Sequence, residues 1–173
     1  MKGRYSFTFL REPTQRLISL YRFYRSWKGD PSLHKFARDA TLEEFLLLGR
    51  GAKEHPYYWR ALVWNNQTWQ LASGRNMESD VPPNMHPREM LHVALENLRL
   101  FQFVGKVESF DDDLRGIFRA LGTSEIKPRH VNTAQSAAIE PTIQESMLLA
   151  EMTNLDRELY ASVSHGSQFV SPS

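Results

Sequence analysis

The chain contains no cysteine. This absence excludes disulfides, thiolate nucleophiles and zinc–thiolate sites, and it is typical of proteins that fold in a reducing compartment. No apolar run approaches the roughly 18 residues needed to span a bilayer. Residues 1–4 lead into a mixed segment rather than the long apolar core of a signal peptide. These features predict a cytoplasmic protein with no membrane span in this chain.

Several ligand-binding motifs are also missing. The sequence has no G-x-x-x-x-G-K-[ST] phosphate loop and no H-E-x-x-H motif, and no metal site is predicted. The nearest phosphate-loop candidate, residues 49–53, lacks the following hydroxyl and is predicted to be a turn at a helix end. Of the histidines, His34, His55 and His86 lie near predicted loops, and none is assigned as a base. A net charge of +1 argues against a general nucleic-acid-binding protein.

The composition that remains is that of a globular protein. Of 173 residues, 41% are hydrophobic and 24% are charged, which fits one soluble domain with one core. We predict a single domain over residues 1–163 and a polar, disordered tail over residues 164–173.

The most informative segment lies near the amino end. Residues 5–10 are rich in strand formers, Arg11 follows them, and Pro13 suits the first position of a helix that carries Leu17 and Tyr21. An arginine at the carboxyl end of a strand points into the crevice where open α/β sheets bind ligands. The helix start is expected to add free backbone N–H groups. This pattern suits a phosphate held by Arg11 and the Ser19 hydroxyl; the commoner alternative for such a pattern is that Arg11 only solvates the turn.

Five segments, in order along the chain, carry a resemblance to a known family. Residues 7–21 fit the pattern F-x-x-L-R-[DE]-P-x-x-R-x-x-S-x-[YF], and residues 103–111 fit F-V-G-x-x-E-x-[FM]-[DE]. The other segments are residues 41–46, 66–74 (Q-T-x-x-L-x-G) and 154–160 (N-x-[DE]-x-[ED]-[LF]-Y). Together they resemble the carbohydrate sulfotransferases related to heparan sulfate 2-O-sulfotransferase.

The resemblance implies a fold and a reaction. The fold is the α/β, P-loop NTPase-like sulfotransferase fold, rich in helices with a short parallel sheet. The reaction moves a sulfuryl group from 3′-phosphoadenosine 5′-phosphosulfate to a carbohydrate hydroxyl, without a metal. By this resemblance Arg11 and Ser19 hold the 3′-phosphate of the donor, and Arg129 lies in a basic loop, residues 127–133, that approaches the nucleotide.

The chain departs from the family at its start. The family's 5′-phosphosulfate loop and catalytic base precede the segment seen here at residues 7–21, so the catalytic residue stays unknown and the fold is expected to be incomplete at the amino end. Either the chain is a fragment, or its start is misplaced, or it is a degenerate relative. The alternative function is a non-catalytic binding or assembly protein. The alternative location is the Golgi lumen, if an anchor has been removed. An exposed sheet edge predicts pairing with another copy.

Local signals predict the remaining elements. Thr41 and Glu44 form a capping-box pattern at a helix start. An aromatic-rich helix is expected over residues 56–69, with core packing favoured over sugar stacking for its aromatics, and a loop over 73–87. Further along we predict a helix over 86–100 and a strand over 101–105. A helix is then expected from Asp111, stopping at Gly122. More helices are expected from Pro141 onward, and the apolar face of the last one is Leu155, Leu159 and Val163.

Overall fold

A computed structural model describes residues 5–26, 31–50, 57–73, 85–123, 139–164 and 167–168. Within these ranges the strands are β1 (Phe7–Leu10), β2 (Phe103–Lys106) and β3 (Ser167–Gln168). The α-helices are α1 (Pro13–Ser26), α2 (Pro31–Asp39), α3 (Leu42–Leu47), α4 (Tyr57–Val63), α5 (Asn66–Ala72), α6 (Pro87–Leu98), α7 (Phe110–Leu121), α8 (Ile143–Met152) and α9 (Asn154–Ala161). Short 3₁₀ turns occupy Leu48–Arg50 and Val107–Ser109.

The described strands form one sheet in the order β1-β2-β3. β1 runs parallel to β2, from Phe7 opposite Phe103 to Leu10 opposite Lys106. β3 pairs antiparallel with β2. Parallel neighbours need a long crossover, and helices α1 to α6 supply it. The helix-rich α/β character and the short parallel pairing are therefore confirmed.

Two groups of buried side chains hold the helices in place. One joins α1, α3 and α8 through residues such as Leu17, Phe45 and Leu149. The other joins β1 and β2 to α5, α6 and α9, and includes Leu10, Trp69, Met90, Val104 and Leu159. Each fully buried side chain of this size contributes roughly 1.5–3 kcal/mol of hydrophobic stabilisation. The second group fixes the helices that surround the carboxyl ends of β1 and β2.

Several predicted boundaries are confirmed. α1 begins at Pro13, and Thr41 caps α3 in a capping box with Glu44. α7 ends at Leu121 and is capped by Gly122, whose φ of 63° lies in the left-handed region that favours glycine. Thr142 caps α8 in a second capping box, with Glu145.

Other boundaries differ from the predictions. The predicted strand over 101–105 begins two residues later, at Phe103, because the chain turns after α6 and the Phe101 N–H donates to the Leu98 carbonyl. The predicted aromatic helix is two helices, broken where Asn65 adopts a φ of 46°. Trp69 is buried in the core, as predicted, and its ring packs edge-on against Trp64.

The polar tail also differs from its prediction at two residues. Ser167 and Gln168 form β3, because the exposed side of β2 offers them backbone partners at Val104 and Phe103. Most of the predicted loop over 73–87 lies outside the described residues, as does the rest of the tail beyond Gln168. No helix in the described ranges is long and apolar enough to cross a membrane.

Candidate functional site

A cavity of about 500 Å³ opens at the carboxyl end of β1. Its polar lining includes two arginines and two glutamines: Arg11, Arg16, Gln67 and Gln70. Its apolar lining includes Phe9, Leu10, Leu71 and Val107. The lining is more polar than apolar, and its two guanidinium-bearing residues suit a charged ligand. The cavity lies at the carboxyl end of a parallel strand, the position at which open α/β sheets bind ligands.

Arg11 is the first residue after β1, and its backbone is held from α5. The Arg11 N–H donates to Gln67 Oε1 at 2.8 Å, and Gln67 Nε2 donates to the Arg11 carbonyl at 3.0 Å. The guanidinium makes no ion pair or hydrogen bond with any residue of the described ranges. Arg11 lines the cavity, and among the described residues no bonded carboxylate compensates its charge, which suits an anionic ligand.

Arg16 is a second cation in the same cavity, one that sequence reasoning did not assign to the site. Its Nη2 donates to Asn66 Oδ1 at 2.8 Å. Burial lowers the pKa of Arg16, the nearby Arg11 lowers it further, and the Asp156 carboxylate opposes both. Arginine stays protonated in proteins despite such shifts. The available signal was its position in the first turn of the helix that follows Arg11.

The start of α1 does not offer free N–H groups, contrary to our expectation. The Glu12 carboxylate accepts from the Thr14 N–H at 3.1 Å and from the Gln15 N–H at 2.7 Å. A carboxylate at this position is stabilised by the positive end of the helix dipole. Glu12 therefore occupies the anion position at the helix start, and the cavity relies on arginine side chains instead.

Glu108 fixes the turn between β1 and α1. Its Oε1 accepts from the Glu12 N–H at 2.8 Å, and its Oε2 accepts from the Tyr160 hydroxyl at 3.0 Å. Burial, then the hydrogen bond and charge of Glu108, raise the pKa of Tyr160 to about 12. Lys106 Nζ lies 4.1 Å from the centre of the Tyr160 ring, a cation–π contact. These contacts tie β2 and α9 to the segment that carries Arg11.

α5 and α9 cap each other's amino ends. Asp156, in α9, accepts from the Gln67 and Thr68 N–H groups at 3.2 and 2.7 Å, and from the Thr68 hydroxyl at 2.7 Å. Asn65, just before α5, accepts from the Leu155 and Asp156 N–H groups at 2.8 and 3.2 Å. This exchange satisfies buried donors that helix ends leave unpaired. It joins two of the family-like segments, residues 66–74 and 154–160.

Of the other predicted binding residues, Ser19 lies half-buried on α1, and it is not among the described residues that line the cavity. Its hydroxyl makes no hydrogen bond within the described ranges. Arg129 lies outside the described residues, as do residues 51–53 and His55. The structure therefore places Arg11 at the cavity and leaves the other two assignments as predictions.

Two further sequence features have structural roles. His86 caps α6, where its Nδ1 accepts from the Arg88 N–H at 3.2 Å. The acidic run Asp111–Asp113 stands in the first turn of α7, as favoured from the sequence, and Asp113 Oδ2 accepts from the Lys106 N–H at 2.8 Å. No group of three potential metal ligands occurs in the described ranges.

Comparison with known proteins gives one family match, which covers nearly all of the chain. A family model described as the sulfotransferase family matches residues 1–167. No curated protein and no solved structure matches the chain at a significant level. The match includes β1, the cavity arginines and both capping segments. The chain belongs to the sulfotransferase family.

Proposed function

We propose that the chain binds 3′-phosphoadenosine 5′-phosphosulfate through the cavity at the carboxyl end of β1. We propose further that this molecule is the donor in the transfer of a sulfuryl group to a carbohydrate hydroxyl. The single observation that carries the proposal is the Arg11 guanidinium, which lines that cavity without a bonded carboxylate among the described residues. Family membership supports sulfuryl transfer in general. The donor and the carbohydrate acceptor are inferred from the resemblance to the relatives of heparan sulfate 2-O-sulfotransferase.

The electrostatics of the cavity favour a phosphate monoester. Arg11 and Arg16 repel each other: burial is the main cause of the lowered pKa of Arg16, and the like charge of Arg11 adds to it. A phosphate dianion between or beside them would relieve this repulsion and accept charge-assisted hydrogen bonds. The volume of about 500 Å³ lies within the roughly 300–1,000 Å³ common for small-molecule sites.

The proposed role of Arg11 is to fix the donor rather than to touch the reacting group. In the transfer, the bond between sulfur and the bridging oxygen of the phosphosulfate breaks as a bond forms between sulfur and the acceptor hydroxyl oxygen. The hydroxyl proton passes to a base, which we assign to none of the described residues. Holding the 3′-phosphate aligns the donor for this displacement. Ser19 and Arg129 remain proposed partners of the same phosphate.

The direct test is calorimetry with adenosine 3′,5′-bisphosphate, the product of the donor. Arg11→Ala should weaken binding by about 2 kcal/mol, or roughly 30-fold in Kd, because the phosphate loses a charged hydrogen-bond donor. The bisphosphate should also raise the melting temperature of the unaltered protein, since a ligand of the folded state stabilises it.

Two controls make this test specific. Arg115→Ala removes an exposed arginine on α7 that pairs with Asp112, and it should leave the affinity unchanged. Adenosine 5′-monophosphate lacks the 3′-phosphate, so its affinity should not respond to Arg11→Ala. Equal affinity of the unaltered protein and Arg11→Ala for the bisphosphate would overturn the proposed function.

A further inference from the structure

We propose that Gln67 is a positioning residue that directs the Arg11 guanidinium towards the 3′-phosphate. The inference rests on the proposed function, since it assigns a role at the same site. Gln67 is one of the cavity residues, yet both of its polar side-chain atoms are used on the backbone of Arg11. It therefore acts on the ligand through Arg11.

The contact has the form of a strand pairing made by a side chain. β1 is an edge strand of the described sheet, and Arg11 lies just beyond its last paired residue, Leu10. Gln67 Oε1 accepts from the Arg11 N–H while Gln67 Nε2 donates to the Arg11 carbonyl. The reversed amide would place donor against donor and acceptor against acceptor, so the pairing fixes its orientation. Both backbone groups of Arg11 are thereby held by one amide.

Gln67 can transmit this constraint because it is itself held. It is 6% exposed, and its own N–H donates to Asp156 Oδ2. The next residue, Thr68, binds the other carboxylate oxygen of Asp156 through its N–H and its hydroxyl. The Arg11 backbone is thus connected to a buried carboxylate in α9. Binding a ligand through the guanidinium costs conformational entropy in both the side chain and the backbone of Arg11. Because Gln67 already fixes the backbone, the backbone part of that cost is reduced.

The test replaces Gln67 with methionine, which has a similar volume and makes neither hydrogen bond. Gln67→Met should weaken binding of adenosine 3′,5′-bisphosphate by about tenfold and leave binding of adenosine 5′-monophosphate unchanged. Combined with Arg11→Ala, the same substitution should cost almost nothing further, because Gln67 is proposed to act only through Arg11.

A matched control separates positioning from general loss of stability. Asn97 Nδ2 donates to the Leu71 carbonyl at 2.8 Å, a comparable bond from a side-chain amide to the backbone. Asn97→Leu should lower the melting temperature as Gln67→Met does, without changing the ratio of bisphosphate to monophosphate affinity. If Gln67→Met does not fold, Gln67→Asn serves instead, because its shorter side chain keeps the amide but does not reach both groups of Arg11.

The outcomes are distinct. An unchanged affinity ratio in Gln67→Met (or in Gln67→Asn, if that variant is needed) overturns the positioning role, and so does an equal loss with and without Arg11. If Arg11→Ala does not change the affinity for adenosine 3′,5′-bisphosphate, the proposed function itself is overturned. A tenfold loss that disappears in the Arg11→Ala background supports both.

Discussion

Arg16 shows how one residue serves both stability and binding. Its guanidinium donates to Asn66, lies within electrostatic range of the buried Asp156, and lines the cavity beside Arg11. A lysine would keep the charge but lose the planar, forked donor geometry. The pattern of residues 7–21 contains this arginine, but its place in the cavity depends on α5, which follows fifty positions later at Asn66. Local reasoning from residues 7–21 therefore found Arg11 and missed Arg16.

Gly105 is the residue in β2 that most constrains the packing around β1. A Cβ at this position would lie 2.5 Å from a carbon of the Phe9 ring and 2.9 Å from Asp113 Oδ2. The Phe9 ring also packs against Phe110, with ring centres 4.8 Å apart, so it has little room to move. We predict that Gly105→Ala lowers the free energy of unfolding by about 1–3 kcal/mol, as overpacked cores do. Urea denaturation at equilibrium measures this change.

Gly116 provides the control for that substitution. It lies within α7, and an added Cβ would stand 3.8 Å from the Phe103 ring, an ordinary contact. Gly116→Ala should therefore raise the free energy of unfolding, by up to about 1 kcal/mol, because alanine favours the helix. If Gly105→Ala were as stable as the unaltered protein, the close packing of Phe9 on β2 would be wrong.

At the scale of elements, helix ends with local caps were predictable and those capped from a distance were not. Thr41 and Thr142 each lie next to the helix they cap, and Pro13 marks the start of α1 through its fixed φ. The break before α5 depends on Asn65, whose N–H donates to the Met152 carbonyl and whose side chain caps α9. Those partners lie almost ninety positions away, so the sequence pattern suggested one continuous aromatic helix.

The mutual capping of α5 and α9 predicts a pH dependence. Burial raises the pKa of Asp156 in the folded protein, against the hydrogen bonds from Thr68 and Gln67 and the charge of Arg16, which lower it. Between the unfolded pKa of about 3.9 and the raised folded pKa, the folded state binds more protons than the unfolded state. The contribution of Asp156 to the free energy of unfolding is therefore greatest below this window and decreases as pH rises through it.

Comparison with Asp156→Asn isolates this contribution. Asparagine does not titrate, and the other carboxylates are common to both proteins. The free energy of unfolding of the unaltered protein minus that of Asp156→Asn should decrease from about pH 4 upward and become constant above the folded pKa. Urea denaturation at a series of pH values gives this difference. A difference that increases with pH would mean that the hydrogen bonds and Arg16 outweigh burial at Asp156.

For the whole molecule, the ordered set of family-like segments predicted more than composition did. The α/β class and the short parallel sheet agree with what the resemblance implied, and that sheet pairs β1 with β2, which lie in the segments 7–21 and 103–111. β3 was missed because Ser167 and Gln168 have no strand-forming pattern of their own, and their pairing is imposed by β2. The capping of α1 by Glu12 was missed because serine, threonine, aspartate and asparagine are the usual caps.

The edge position of β1 leads to a prediction about self-association. Within the described sheet β1 has a neighbour on one side only, and Phe7 is 47% exposed on it. An edge strand without charged residues or proline offers backbone groups to a second copy. Light scattering should give an average mass that exceeds the 20.1 kDa of the monomer and increases with protein concentration.

Phe7→Lys should shift this mass towards that of the monomer, because a lysine on an edge strand disfavours pairing. The same substitution should leave the affinity for adenosine 3′,5′-bisphosphate unchanged. A monomer at every concentration would contradict this prediction.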